Sequence, residues 1–257
     1  MPGLAWLTER PIAHRGLHDT TAGAVENTAT AFAAAIGAGY GIETDLQISA
    51  DGEAFVHHDD AFGRLTEGSG RLADMTAADI RKVRFKTSSD HMMTLGDLCD
   101  FVAGRTTLLI ELKSRFDGDR RLVQRCADVL AVYAGPVAVM SFDPTLIEVA
   151  RWIAPQLTRG IVAERHYTHQ EWNPLPRAEK RSMAWFLHAP RTRPQFIAYS
   201  VKDLPAVAPL LARTLFRLPL LTWTVRSEPD RQTAARWADQ MIFESLRPAS
   251  PRKANVR

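Results

Sequence analysis

Seven residues carry the chemistry this chain can do: His14, Arg15, Glu43, Asp45, His58, Glu111 and Lys113. Each lies in or beside a short apolar run. His14-Arg15 closes Pro11-Ile12-Ala13, Glu43 and Asp45 sit two apart in Gly41–Leu46, and Glu111 and Lys113 sit two apart in Thr107–Lys113. Residues two apart on a strand share a face. If these runs are neighbouring strands, their ends bring the seven side chains to one rim. Three carboxylates without a thiolate suit a hard divalent cation such as Mg²⁺ or Ca²⁺. Two histidines suit general acid and base work near neutral pH. Arg15 and Lys113 suit phosphate oxygens. The combination describes metal-assisted cleavage of a phosphate ester.

The elements that must position these groups alternate strand and helix. Strands are expected at Pro11–His14, Gly41–Leu46, Thr107–Lys113, Pro136–Phe142, Thr158–Ala163, Phe196–Val201, Leu220–Val225 and Gln240–Phe243. Helices are expected at Glu26–Ala38, Leu95–Val102, Arg120–Ala134, Pro144–Ile153, His169–Arg181, Leu204–Arg213 and Glu228–Trp237. Such alternation predicts a parallel sheet with helices outside. Eight strands in 257 residues predict an α/β fold, a closed (β/α)8 TIM barrel, which needs about 250 residues. The whole chain, 1–257, then reads as one domain.

One stretch breaks the alternation. Ala54–His58 follows an extension of the second strand with only Ser49-Ala50-Asp51-Gly52-Glu53 between, and a parallel crossover needs about a dozen residues. Asp51-Gly52 is a hairpin signal, so 54–58 is expected to fold back antiparallel, opening an insertion over 47–90. A turn centred between residues 50 and 51 sets Asp45 opposite Val56 and Glu43 opposite His58. Directly opposed residues share a face, so His58 would join the carboxylates and His57 would point into the core. A slip of one residue would exchange the two histidines.

The ordered series His14-Arg15-Gly16, Glu26-Asn27-Thr28, Glu43-Thr44-Asp45, His58-Asp59 and Glu111-Leu112-Lys113 resembles the glycerophosphodiester phosphodiesterase family. Ser141-Phe142 and Trp223-Thr224-Val225 extend the likeness, which runs over about residues 11–245. The resemblance implies a barrel with an insertion after its second strand. It implies hydrolysis of glycerophosphodiesters to glycerol 3-phosphate and an alcohol. By the same likeness His14 and His58 are the acid/base pair, and Glu43, Asp45 and Glu111 are metal ligands. Arg15 and Lys113 hold phosphate, Trp223 walls the glycerol or head group, and Glu26 and Asn27 support the site. Attack by the glycerol hydroxyl through a cyclic phosphate and attack by water both remain open. The chain departs from the family at the end of the last strand, where Phe243-Glu244 replaces the usual Thr-Asp, and no role is carried onto Glu244. The stretch Ala184–Val201, with His188, Arg191 and Arg193, is a further departure expected to reshape the head-group pocket.

Plainer readings stand beside these. Asn27 or Thr28 can serve as a helix N-cap, Trp223 can be barrel packing, and Glu111 with Lys113 can be a structural ion pair. Ser141 lacks the setting of a nucleophile and reads as a hydrogen bonder at a strand end. Arg64 can anchor the inserted segment or lie solvated. The alternative functions are a phospholipase-like relative acting on intact phospholipid or sphingolipid, and a non-catalytic module that binds phosphorylated metabolites. The module would be expected to lack a histidine or a metal carboxylate.

Composition narrows the setting. The 32 basic and 29 acidic residues are spread along the chain, which argues against nucleic acid as a partner. The basic run Arg247–Arg257 reads as a frayed tail. Cys99 and Cys126 are too few for a disulfide scaffold and read as free thiols. No apolar stretch approaches the roughly 18 residues of a membrane span, so no stable membrane insertion is expected. With no export signal in view, the expected location is cytoplasmic and the expected partner a small-molecule glycerophosphodiester.

Overall fold

The computed structural model describes residues 3–249. Most of the basic run at the C-terminus, from residue 250 onward, lies outside the described residues. Nine strands form one sheet: β1 (Ile12–Ala13), β2 (Gly41–Ile48), β3 (Ala54–Val56), β4 (Leu108–Leu112), β5 (Val137–Ser141), β6 (Thr158–Ala163), β7 (Phe196–Ser200), β8 (Leu220–Val225) and β9 (Gln240–Phe243). Eight of them run parallel in the order β1-β9-β8-β7-β6-β5-β4-β2, and β1 also pairs with β2, closing a TIM barrel. β3 lies antiparallel on the extended end of β2.

The alternation of side chains along each strand explains both the core and the site. Ile12, Leu109, Ala138, Met140, Val162, Phe196, Ala198, Leu221 and Ile242 cluster inside the barrel, with Leu7 closing one end. Their neighbours Ala13, Ile42, Leu108, Ile110, Val139 and Phe243 pack outward against the helices. Stepping two residues on from inward positions leads to His14, Glu111, Phe142, Glu164, Trp223 and Glu244, all at the C-terminal ends of strands and all lining one cavity except Glu244. Barrel active sites occupy that end.

The helices form where apolar spacing and caps coincide. Leu95–Val102 starts on a capping box of Thr94 and Asp97, and Pro144–Ile153 starts on Asp143, whose carboxylate accepts from the Thr145 N–H. The expected single helix over His169–Arg181 is instead a short turn, Gln170–Trp172, followed by a helix at Arg177–Ala184. Pro174 and Pro176 explain the break, since proline lacks the N–H and clashes with the preceding turn. The helix expected from Leu204 begins at Val207, because the residue before Pro205 is pushed out of the helical region. Three four-residue helices, Ala5–Thr8, Ala77–Ile80 and Ala189–Thr192, are too short for periodicity to register.

The hairpin register differs from the expected one by a residue. Leu46 opposes Val56, Gln47 opposes Phe55 and Ile48 opposes Ala54, so the turn centres on Asp51 and not between residues 50 and 51. The segment after β3 has its own small core of Val25, Phe55, Phe62, Leu72, Ile80, Phe85 and Met92. Phe55 faces that cluster while Ala54 and Val56 face the barrel helices.

Candidate active site

The cavity at the C-terminal ends of the strands has a volume of about 670 Å³ and is lined by His14, Arg15, Glu43, Asp45, His58, Glu111, Lys113 and Trp223, among others. One side, from β1, β2 and β4, is charged. The other, from β5, β6 and β8, is aromatic.

On the charged side Glu43, Asp45 and Glu111 are buried, and one oxygen from each lies within 4.8 Å of the others. Lys113 Nζ sits 2.9 Å from Asp45 Oδ1 and 2.7 Å from Glu111 Oε1. The Arg15 backbone N–H donates to Glu43 Oε2 at 3.0 Å. Arg15 Nε approaches Asp45 Oδ2 at 3.2 Å without the alignment of a hydrogen bond, so its effect there is charge alone. Burial, and then the charges of Asp45 and Glu111, push the Glu43 carboxyl well above the usual range. Burial acts on Asp45 in the same direction, but Lys113, His58 and Arg15 override it and hold Asp45 well below its ordinary value. Three oxygen donors this close, no wider apart than the span across an ion with ligands at about 2.3–2.6 Å, fit a hard divalent cation.

The turn after β1 brings Arg15 to this cluster. Arg15 has φ +56° and Gly16 φ +80°. A Cβ at Gly16 would lie 2.9 Å from both the carbonyl carbon and the Cβ of Ala31, so only glycine fits. Thr28 is the N-cap of the helix Ala29–Gly37, which leaves Asn27 for the site. Asn27, also left-handed at φ +58°, donates from Nδ2 to Asp45 Oδ2 at 3.0 Å and accepts from Thr44 Oγ1 at 2.7 Å. Glu26 Oε1 accepts from Arg15 Nη1 at 2.7 Å.

The two histidines flank the cavity mouth and are anchored alike. His14 Nδ1 lies 2.9 Å from Glu244 Oε2, and its Nε2 lies 4.0 Å from Glu43 Oε2. Burial lowers the His14 pKa to about 4; the Glu244 contact opposes this and the Arg15 charge adds to it. His58 Nδ1 lies 2.8 Å from Asp59 Oδ1. Arg64 donates to both Asp59 (Nε to Oδ2, 2.6 Å) and Glu26 (Nη2 to Oε1, 2.7 Å), so it ties the inserted segment to the barrel.

His58 lines the cavity, but not for the reason the expected register supplied. With the observed register Asp45 faces His57, whose N–H donates to the Asp45 carbonyl at 3.1 Å. The ladder ends at Val56, so the strict alternation of the pleat no longer governs the two histidines. His57 is buried with its ring 5.3 Å from Phe62, and His58 turns toward the carboxylates.

On the aromatic side Phe142 stands 5.5 Å from Trp223 and 4.8 Å from Trp172, with Tyr167 5.2 Å from Trp172. Trp172 comes from the loop after β6, where no strand periodicity announces it. Ser141 Oγ donates to the Leu112 carbonyl at 2.7 Å, the expected strand-end bond. His188, Arg191 and Arg193 do not reshape this pocket. They precede β7 and so lie at the opposite end of the barrel, where His188 is buried and Arg191 pairs with Glu148. Sequence reasoning also left Glu244, Asp59 and Arg226 without roles, although Glu244 lies two residues beyond the inward-facing Ile242.

The chain is similar to known phosphodiesterases. A glycerophosphodiester phosphodiesterase of Caldanaerobacter subterraneus subsp. tengcongensis is 29% identical over 161 residues, 59% of this chain and 65% of that protein. Glycerophosphodiester phosphodiesterase 1 of Bos taurus is 46% identical over 74 residues, 28% of this chain and 21% of the relative. The chain thus spans less than two thirds of the length of these curated relatives. An Oleispira antarctica phosphodiesterase, solved in complex with the product sn-glycerol-3-phosphate, shares the fold with a TM-score of 0.74 at 19% identity over 91% of each chain. The profile of the glycerophosphoryl diester phosphodiesterase family matches residues 14–246, and the chain belongs to that family.

Proposed function

We propose that this protein is a divalent-metal-dependent phosphodiesterase that hydrolyses glycerophosphodiesters to sn-glycerol 3-phosphate and an alcohol. The observation that carries this reading is the pair of anchored histidines, His14 and His58, at a cavity that also holds three buried carboxylates with Arg15 and Lys113. The family supports the substrate class.

Glu43, Asp45 and Glu111 would hold the cation, which when bound supplies Lewis-acid stabilisation of charge on the phosphoryl oxygens. Mg²⁺ and Ca²⁺ both match the all-oxygen donor set. Lys113 has three N–H donors, two of them directed at Asp45 and Glu111, which leaves one for a phosphate oxygen. Arg15 adds positive charge on the same side. One histidine takes the proton of the attacking hydroxyl as the new P–O bond forms. The other gives a proton to the alcohol oxygen as its bond to phosphorus breaks. The attacking oxygen is water or the glycerol hydroxyl, and in the second case water opens the resulting cyclic phosphate. Trp223 and Phe142 wall the space for the glycerol or alcohol portion. Glu26 orients Arg15, and Asn27 orients Asp45. Release of glycerol 3-phosphate from glycerophosphocholine or glycerophosphoethanolamine, lost on chelation and restored by added cation, tests the proposal.

A further inference from the structure

One arrangement occurs twice at the cavity mouth. Glu244 Oε2 lies 2.9 Å from His14 Nδ1 and accepts from Arg226 Nη2 at 2.9 Å and Nε at 3.2 Å. Asp59 lies 2.8 Å from His58 Nδ1 and accepts from Arg64 Nε at 2.6 Å. The two carboxylates come from distant parts of the chain, Asp59 after β3 and Glu244 after β9. Each is ionised and can only accept, so the imidazole nitrogen facing it must carry the proton. The backbone N–H of Glu244 already donates to the Val225 carbonyl at 3.0 Å, so its side chain is not needed to fasten β9 to β8. Glu244 also follows the inward-facing Ile242 by two residues, which aims it at the mouth.

We propose that Glu244, braced by Arg226, is a positioning residue for the phosphodiester reaction: it holds His14 in the Nδ1-protonated tautomer and turns the bare Nε2 toward the cavity. This rests on the reading of His14 as a proton-transfer group. Nε2 is the nitrogen that lies 4.0 Å from Glu43, so it is the one able to exchange a proton with a substrate oxygen. Arg226, half-exposed at the rim, keeps the Glu244 carboxylate from swinging into solvent. Bases oriented by a third group in this way lose rate, not binding, when that group is removed.

The test uses the full chain with ¹⁵N-labelled histidine, glycerophosphocholine as substrate and Mg²⁺ or Mn²⁺ supplied. Glu244→Ala is expected to lower kcat by about 10- to 100-fold while KM stays within about threefold. Glu244→Asp, which keeps the carboxylate, should regain most of that loss. Arg226→Ala should lose less than Glu244→Ala. Two-bond ¹H–¹⁵N spectra should show His14 as the Nδ1–H tautomer in the parent and as a mixture richer in Nε2–H in Glu244→Ala. Unchanged kcat in Glu244→Ala, or an unchanged His14 tautomer, overturns the proposal. If Glu244→Ala does not fold, Arg226→Ala and Glu244→Asp decide by the same spectra and the same kcat and KM split. If the parent hydrolyses no glycerophosphodiester, the functional reading fails, and the tautomer spectra still decide whether Glu244 sets the His14 proton.

Discussion

Asn27 donates to Asp45 across 3.0 Å from a backbone held at φ +58°, and the same amide accepts from Thr44 on the strand that carries Asp45. A helix start and a barrel strand are thereby joined at the carboxylate that lies deepest in positive charge. Asn27→Ala removes the Asp45 donor and leaves the buried Thr44 hydroxyl without its acceptor. The expected outcome is cation affinity weaker by about 10- to 100-fold, with stability lower by about 1–3 kcal/mol. Calorimetric titration of the cation and urea unfolding measure the two effects.

The three carboxylates crowd together before a cation arrives, and burial with the charges of Asp45 and Glu111 pushes the Glu43 carboxyl well above its ordinary value. Glu43→Gln keeps an oxygen for the Arg15 N–H and removes one charge. It should raise the melting temperature of the cation-free protein while abolishing most activity, a trade expected of functional sites. Lys113→Met does the reverse to the cluster, taking the ammonium from Glu111 and leaving Asp45 with the Arg15 guanidinium alone. It should destabilise the cation-free protein by about 3–5 kcal/mol, the cost of a buried charge stripped of its partner. Paired thermal scans with and without a chelator read both outcomes.

His58 and His57 are adjacent in sequence and opposite in surroundings. His58→Ala should cost about 10²- to 10⁴-fold in kcat, the range for a lost acid or base. His57→Ala should leave kcat within a few-fold and lower stability, because its buried ring packs on Phe62. Steady-state kinetics on both variants separates the two residues.

This pair also shows how far sequence reasoning reaches. The apolar runs that become strands are legible because buried parallel strands need them, and alternation from Ile12 to His14 and from Leu109 to Glu111 carries the charged residues to one end. The hairpin register is not legible to a single residue, since Asp51-Gly52 marks a turn without saying where it centres. His58 reached the cavity because β3 stops at Val56 and frees the next two residues from the pleat. Glu244 was within reach of the same alternation through Ile242, but its partner His14 is 230 residues away and only closure of the barrel brings them together. Trp172 depends on a loop broken by Pro174 and Pro176, where no period operates.

Glu26 is held at a pKa of about 2, against burial, by hydrogen bonds from Arg64 and the charge of Arg15. Its folded value is depressed below the ordinary 4.5, so its contribution to stability is complete above that value. The contribution fades as pH falls from there toward 2. Glu26→Gln should remove that part of the acid dependence. Urea midpoints for the parent and Glu26→Gln at pH 6 and pH 3 should differ more at pH 6 than at pH 3.

The central claim is glycerophosphodiester hydrolysis at the His14–His58 cavity with a divalent cation. The most direct measurement is release of glycerol 3-phosphate from glycerophosphocholine and glycerophosphoethanolamine with Mg²⁺, Ca²⁺ or Mn²⁺. The predicted result is release by the parent protein that falls away on chelation and in His14→Ala. No glycerol 3-phosphate from either substrate with any of the three cations would contradict it.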